Sequence, residues 1–325
     1  MSIVTISSLL LANQQVFIYM GIPILVLGVI GGVLNTSVFL SLHTFRESSC
    51  AFYLTIMSIL NIDQLLTGLS TRIVISGFGI DFTGTSLFYC KFRIFFLQVT
   101  TCSSFACICL AAIDQYFATC TFISWQRWSN LRLARRLVVG TIIIIIIEQI
   151  PTLIYYNEVL STSSNKTTCT ITSNTFYLFG LYGNYLLLGN IIPYTITFSA
   201  GILAYRNIRQ LGYRTVPLVR RELDKQLSTI VLVQILYMCL TVPTSLVIYF
   251  IIIYGNIQDV TLRLEIDLAY TITTCLYYSY FASPFYIYML FSERFRRQCI
   301  YVTCQIFVKQ HRPHRIAPDA PSIPA

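Results

Sequence analysis

Seven long apolar runs separated by short polar links set the plan of this chain: residues 16–42, 51–75, 88–118, 134–156, 177–205, 226–254 and 264–290. Coiled at 1.5 Å per residue, each is long enough to cross about 30 Å of hydrocarbon as a helix. The pattern predicts an all-α integral membrane protein, a bundle of seven spanning helices. Prolines fall inside several runs (Pro23, Pro151, Pro193, Pro243, Pro284), which membrane bundles tolerate because neighbouring groups satisfy the carbonyls a proline leaves free. No charge precedes Arg46, so the first run lacks the basic leader of a signal peptide and is read as the first span. An internal repeat, the mark of transporters built from inverted halves, is not visible.

The third run carries chemistry at both ends. Cys90 stands at its start and Asp114-Gln115-Tyr116 at its finish, 24 residues later, or about 36 Å along a helix. That is a bilayer core with some tilt. One helix therefore presents a cysteine at one membrane face and a carboxylate at the other.

Composition agrees with the pattern. Hydrophobic residues make up 55% of the 325, and charged residues 11%, against about 25% in soluble domains. A net charge of +9 would suggest a nucleic-acid partner in a soluble chain. Here the basic residues crowd into alternate links, so no nucleic acid is expected. Of the 22 Lys and Arg, all but Arg72, Lys91, Arg93, Lys166 and Arg263 fall on one side if the N-terminus is outside. Positive loops face the cytoplasm, which predicts an outer N-terminus and an inner C-terminus. Of the 11 cysteines, only Cys90 and Cys169 then face an oxidising compartment, and a disulfide between them is expected. The sequon Asn165-Lys166-Thr167 shares the Cys169 loop and is open to glycosylation. The sequon at Asn35 lies inside a span, where it is a chance match.

These features resemble the rhodopsin-like (class A) G-protein-coupled receptors. Gly31-Gly32-Val33-Leu34-Asn35 is similar to the family's G-x-x-x-N in helix 1, and Ser58 to Leu66 to its S-L-A-x-A-D-L-L run in helix 2. Asp114-Gln115-Tyr116 stands where the family has D-R-Y. Pro151, Pro193 and Pro243 match the prolines of helices 4 to 6, and Ser283-Pro284-Phe285-Tyr286-Ile287-Tyr288 resembles N-P-x-x-Y. The basic stretch from Phe291 to Arg297 looks like the family's short amphipathic eighth helix. The resemblance covers roughly residues 16–300. It implies an outer N-terminus over 1–15, a seven-helix receptor domain over 16–290, the eighth helix over 291–304 and a disordered cytoplasmic tail over 305–325. It also implies a plasma-membrane protein that passes the binding of an extracellular peptide or small molecule to a heterotrimeric G protein.

The departures concern the switch rather than the fold. Gln115 replaces the D-R-Y arginine, and Thr241 replaces the tryptophan two before the helix 6 proline. Ser283 stands for the helix 7 asparagine, Tyr288 falls one place late, Gly201 holds the helix 5 tyrosine position, and isoleucines 142–147 fill the region of the helix 4 tryptophan. The coupling switch of the family maps onto Asp114, Gln115, Tyr116, Thr241, Pro243, Pro284 and Tyr288. Without an arginine at 115 two outcomes stay open, constitutive coupling through a lost restraint or weak coupling through a lost contact, and the second is preferred.

Asp63 is an acid near mid-membrane, where a bare carboxylate is costly. With Asn35, Ser104, Ser279 and Ser283 it is expected to form a polar pocket, and in the family that pocket resembles an allosteric sodium site. The competing reading is a protonated Asp63 hydrogen-bonded to Asn35. No other cofactor is expected. Leu97, seven residues after Cys90, stands where amine receptors carry an aspartate, so a monoamine ligand is disfavoured; helix 7 has no lysine for a retinal Schiff base. Lys91, Arg93, Arg72 and Lys166 with Asp81, Glu158, Asp259, Glu265 and Asp267 form a mixed-charge outer rim, which suits a peptide and equally suits a solvated surface. Cys299 and Cys304 are candidates for palmitoylation or free thiols, beside arginines 294, 296 and 297 that attract anionic lipid. Histidines 43, 311 and 314 lie at or beyond the inner edge, so no His-dependent hydrolase or zinc site fits the bundle and an enzyme is not expected. A transporter or channel, or a non-signalling protein of the receptor fold, is the alternative.

Overall fold

The computed structural model describes residues 3–41, 43–84, 86–160, 167–210 and 218–310. Seven long helices and an eighth surface helix account for most of them. Helix α1 joins Ile3–Val16, a π-type segment Phe17–Gly21 and Ile22–Ser41. Helix α2 runs from Ser49–Gln64 through Leu65–Leu69 and Ser70–Arg72 to Ile73–Gly77. Helices α3 (Leu87–Thr119) and α4 (Leu131–Tyr155) come next. Helix α5 comprises Asn174–Leu178, Phe179–Ile191 and Ile192–Gln210, and α6 is Leu218–Tyr254. Helix α7 is Val260–Ala282, continued past Ser283 by Pro284–Phe291, and α8 is Glu293–Gln310.

Local chemistry starts these helices where they start. Ser48, Ser86, Asn130 and Ser173 are extended and accept from the backbone N–H three residues on, at 3.3, 3.4, 2.9 and 3.4 Å; Asp259 accepts from Thr261 N–H at 2.9 Å. Each satisfies one of the donors a helix N-terminus leaves free. Two π-type segments end two residues before a proline, Phe17–Gly21 before Pro23 and Phe179–Ile191 before Pro193. The missing proline N–H breaks the regular ladder, and widening the preceding turn re-pairs the carbonyls.

The surface is inverted relative to a soluble protein. Ile144, Ile147, Leu236, Leu240 and Ile30 are more than half exposed, while Asn35, Asn61, Ser104, Gln149 and Gln234 are buried. Only lipid makes that arrangement favourable. By length and apolarity α1 to α6 can each cross a membrane. Helix α7 is diluted by Arg263, Glu265 and Asp267 and by tyrosines 270, 277, 278 and 280. It nonetheless packs against α1, α2 and α6 within the same bundle. The expected multi-pass seven-helix fold is therefore present.

Two boundaries differ from the sequence expectation. Helix α1 begins at Ile3 rather than near residue 16, because the polar Asn13 that interrupts the apolar pattern is satisfied by a hydrogen bond from the Thr271 hydroxyl of α7. The eighth helix, expected to end at 304, continues to Gln310. A cluster of rings seats it: Phe295 of α8 lies 5.6 Å from both Phe39 of α1 and Tyr288 of α7.

Close packing is concentrated where small residues meet. At Gly28 an added Cβ would lie 2.5 Å from Leu65 Cδ1 and 2.7 Å from Ala282 Cβ, so α1, α2 and α7 converge on a glycine. Between α4 and α5 the chain forms an antiparallel hairpin of β1 (Tyr156–Leu160) and β2 (Thr167–Ile171), with Glu158 opposite Cys169. The Cys90–Cys169 disulfide ties β2 to the start of α3. The expected pairing is thus the one formed, and it holds the hairpin over one end of the bundle.

Candidate functional site

Three regions along the bundle carry polar chemistry, one at the Cys90 end, one midway and one at the Asp114 end. Beneath the hairpin lies an open cavity of about 270 Å³. Tyr156 of β1 and Ile171 of β2 cover it; Gln64 and Arg72 of α2 and Leu97 and Gln98 of α3 form one wall. Asn184 and Tyr185 of α5, Tyr249 of α6, and Tyr270 and Tyr278 of α7 form the other. Leu97 is thus placed on the cavity, apolar where an amine-binding site needs an acid. Arg72, expected on the outer rim, is instead a cavity residue, its side chain exposed to that space and set against the Tyr278 hydroxyl. Several rim acids are spent locally: Asp81 accepts from Thr83 N–H at 2.8 Å, Asp259 caps α7, and Asp267 pairs with Arg263 at 3.7 Å.

Midway along the bundle the expected polar pocket divides in two. Asn35 donates to Ser58 Oγ at 2.6 Å, and Ser104 donates to Asn61 Oδ1. Asn61, not Asp63, is the α2 residue that meets α1 and α3. Asp63 is half-buried with Oδ2 unpaired and shares no described hydrogen bond with that cluster. The reason is helical geometry: Ser58 and Asn61 are three apart and share a face, whereas Asp63 lies about 200° round from Asn61. Ser279 and Ser283 point to α6 instead, where Ser279 shares a 2.7 Å hydrogen bond with Tyr237 and Ser283 accepts from Gln234 at 3.4 Å. The Asn35 cluster does not suit a sodium ion. Its described members are neutral amides and hydroxyls, and the space beside Asn35, Ser58 and Asn61 holds no water-sized volume.

At the Asp114 end the foot of α3 is held on two sides. Asp114 accepts from the Ser49 hydroxyl, 2.8 Å from each carboxylate oxygen, and Ser49 also meets Ser129 at 3.1 Å. Gln115 is buried and accepts from the Ser228 hydroxyl of α6 at 2.5 Å. A neutral hydrogen bond therefore joins α3 to α6 at the position where the sequence lacks an arginine. Tyr116 packs edge-on to Trp125 at 6.1 Å.

The remaining switch positions lie on α6 and α7. Thr241 is buried one turn before Thr244 and bonds the Tyr237 carbonyl at 2.8 Å, so the absent indole is replaced by a group that stays within its own helix. Pro243 lies inside α6, and just before it Tyr194 of α5 donates to the Met238 carbonyl at 3.2 Å. Pro284 opens the second part of α7, and Tyr288 is fully buried in the Phe39–Phe295 cluster with its hydroxyl unpaired. Cys299 is buried against that cluster rather than turned toward lipid, and Arg296 donates to the Met289 and Leu290 carbonyls at 3.0 and 2.9 Å, capping α7. Asn165 and the side chain of Cys304 lie outside the described residues.

Sequence reasoning missed Asn61, Ser228 and the inward position of Arg72. The three-residue spacing of Ser58 and Asn61, read against Asn35, is a signal for the first. Ser228 is one hydroxyl in a polar stretch and carries no local mark. Arg72 is misread because its helix contains π-type segments on both sides, which rotate the turns beyond them.

A seven-helix membrane bundle with a covered cavity at one end and an α3–α6 contact at the other defines a seven-helix receptor. Residues 33–283 match the family described as 7 transmembrane receptor (rhodopsin family), and the chain belongs to that family. It is 25% identical over 199 residues to the type-1 angiotensin II receptor A of Xenopus laevis. That stretch is 59% of this chain and 53% of the relative, so the chain spans about half the length of the curated relative it matches.

Proposed function

We propose that the protein sits in the plasma membrane with its N-terminus and hairpin outside, and passes the binding of an extracellular ligand to a heterotrimeric G protein. The observation that carries this reading is the pairing of the two ends. A cavity open beneath the disulfide-held hairpin stands at one end of α3, and the buried Gln115–Ser228 hydrogen bond closes α3 against α6 at the other. Ligand contacts that rearrange α3, α5, α6 and α7 around the cavity would be felt at that bond through Pro243 and the Tyr194–Met238 contact.

Separation of the α3 and α6 feet exposes the binding surface for the G protein, with Asp114, Gln115 and Tyr116 on one side of the cleft. Because a neutral hydrogen bond contributes about 0.5–1.5 kcal/mol, this restraint is weaker than a buried charge pair. Coupling is then real, with measurable basal activity. The basic residues of the inner links hold that face at the cytoplasmic surface. Asn165 is the glycosylation site of the outer loop, and Cys304, rather than the buried Cys299, is the candidate for lipidation. The ligand is a peptide or a small organic molecule. The named ligand of the Xenopus relative is angiotensin II, and at this identity it is not assigned to the present chain.

The test is a library of peptides and small molecules applied to cells that express the protein with a promiscuous G protein. Ligand-evoked GTP exchange supports the receptor reading. Ligand-dependent ion or solute flux without exchange contradicts it.

A further inference from the structure

The cavity beneath the hairpin is charged in one sense. Arg72 is its cation, and no Asp or Glu lines it among the described residues. No described carboxylate reaches ion-pair distance of the Arg72 guanidinium; the described pairs are Arg263–Asp267 and Arg297–Glu293. A second guanidinium, that of Arg93 on α3, lies near enough to act on Arg72 and keeps its Nε buried and unpaired. Two acids lie nearby but off the cavity wall: Asp81 is close enough to act on Arg93, and Glu148 of α4 accepts from Gln149 beside Asn184 and Cys102. A guanidinium that faces an open cavity with no carboxylate at ion-pair distance offers an anionic ligand a charge-assisted partner.

The rest of the wall narrows the ligand further. Tyr156, Tyr185, Tyr249, Tyr270 and Tyr278 offer ring surface and hydroxyl donors. Asn184 and Asn190 each leave a buried side-chain oxygen without a donor. A ligand that satisfies all three needs carries an anionic group, a flat apolar body and a hydrogen-bond donor away from the anion. A guanidinium grips a carboxylate in a planar two-point contact.

We propose that this cavity is a binding site for an aromatic carboxylic acid, with Arg72 holding the carboxylate, the tyrosines holding the ring and Asn184 or Asn190 accepting from the ligand's donor. The carboxylate is that of a free aromatic acid or of a peptide's C-terminal residue. This deepens the receptor reading by naming the ligand class of its cavity, yet binding is measurable without any G protein, so the two readings fail separately.

The experiment uses the full-length protein purified in detergent, with thermal unfolding as readout. The probes are 4-hydroxyphenylacetate, its neutral amide 4-hydroxyphenylacetamide and the cation tyramine, a matched set that differs in charge. The acid is expected to raise the melting temperature, the amide to do so at about 10-fold higher concentration or more, and tyramine not at all, since a charge-assisted hydrogen bond is worth roughly 1.5–3 kcal/mol. Arg72→Gln is expected to abolish the difference between acid and amide, and the wild-type comparison stands even if that variant is unstable. Gly-Gly-Tyr as free acid against its amide then separates the sources: tighter binding than 4-hydroxyphenylacetate assigns the carboxylate to a peptide C-terminus, weaker binding to a small acid. Equal stabilisation by acid and amide, preference for tyramine, or no shift with any of the three overturns the proposal.

Discussion

At residue scale the foot of α3 is the informative place. Gln115 can accept where an arginine could only donate, and it does accept, from Ser228. Ser228→Ala should remove about 0.5–1.5 kcal/mol from the closed arrangement, raising basal nucleotide exchange by roughly 2- to 12-fold; unchanged basal exchange would show that this bond does not restrain α6. The absent arginine was legible in the sequence, but its replacement partner was not, since nothing distinguishes Ser228 from neighbouring polar residues until α6 is packed. The mid-membrane cluster teaches the same point. Asp63 drew attention because it is charged, yet Asn61 receives the Ser104 bond. Asn61→Ala should therefore lower thermal stability by about 1–3 kcal/mol, the cost of a buried unpaired hydroxyl, and Asp63→Asn by less. Replacing sodium with choline at constant ionic strength should leave the wild-type melting temperature unchanged, and a clear drop would restore an ion to that region.

Among the elements, the spans were readable because lipid imposes a minimum length of apolar sequence, and the disulfide because the charge pattern leaves only Cys90 and Cys169 away from the spans and the basic links. Helix ends were less readable. Polar Asn13 hides the first turns of α1, and the bond it receives from Thr271 exists only in the folded bundle. The π-type segments of α2 carry no proline to announce them, and they are why Arg72 turns inward. Contacts between elements can be tested by removing or crowding them. Cys90→Ser and Cys169→Ser should each release the hairpin and lower stability equally, with the double variant no worse than either; in detergent melting, additive losses would contradict a single shared bond. Gly28→Leu should destabilise by about 1–3 kcal/mol or more, because its side chain has no room between Leu65 and Ala282, and a variant with wild-type melting would refute the close approach of α1 to α7.

For the whole molecule, one helix joins the cavity end of the bundle to the Asp114 end. The α3 axis begins at a disulfide that holds the cavity's cover and ends in a hydrogen bond to α6. Between them the exterior is apolar and the interior is a hydrophobic core crossed by small, neutral hydrogen bonds between helices. Such ties are individually weak. The most direct measurement is nucleotide exchange on a panel of purified heterotrimeric G proteins by the wild-type protein and Ser228→Ala, each reconstituted in lipid nanodiscs. Exchange above the receptor-free level is expected for at least one G protein, and more of it with Ser228→Ala. Exchange at the receptor-free level for both proteins across the panel would contradict the receptor reading.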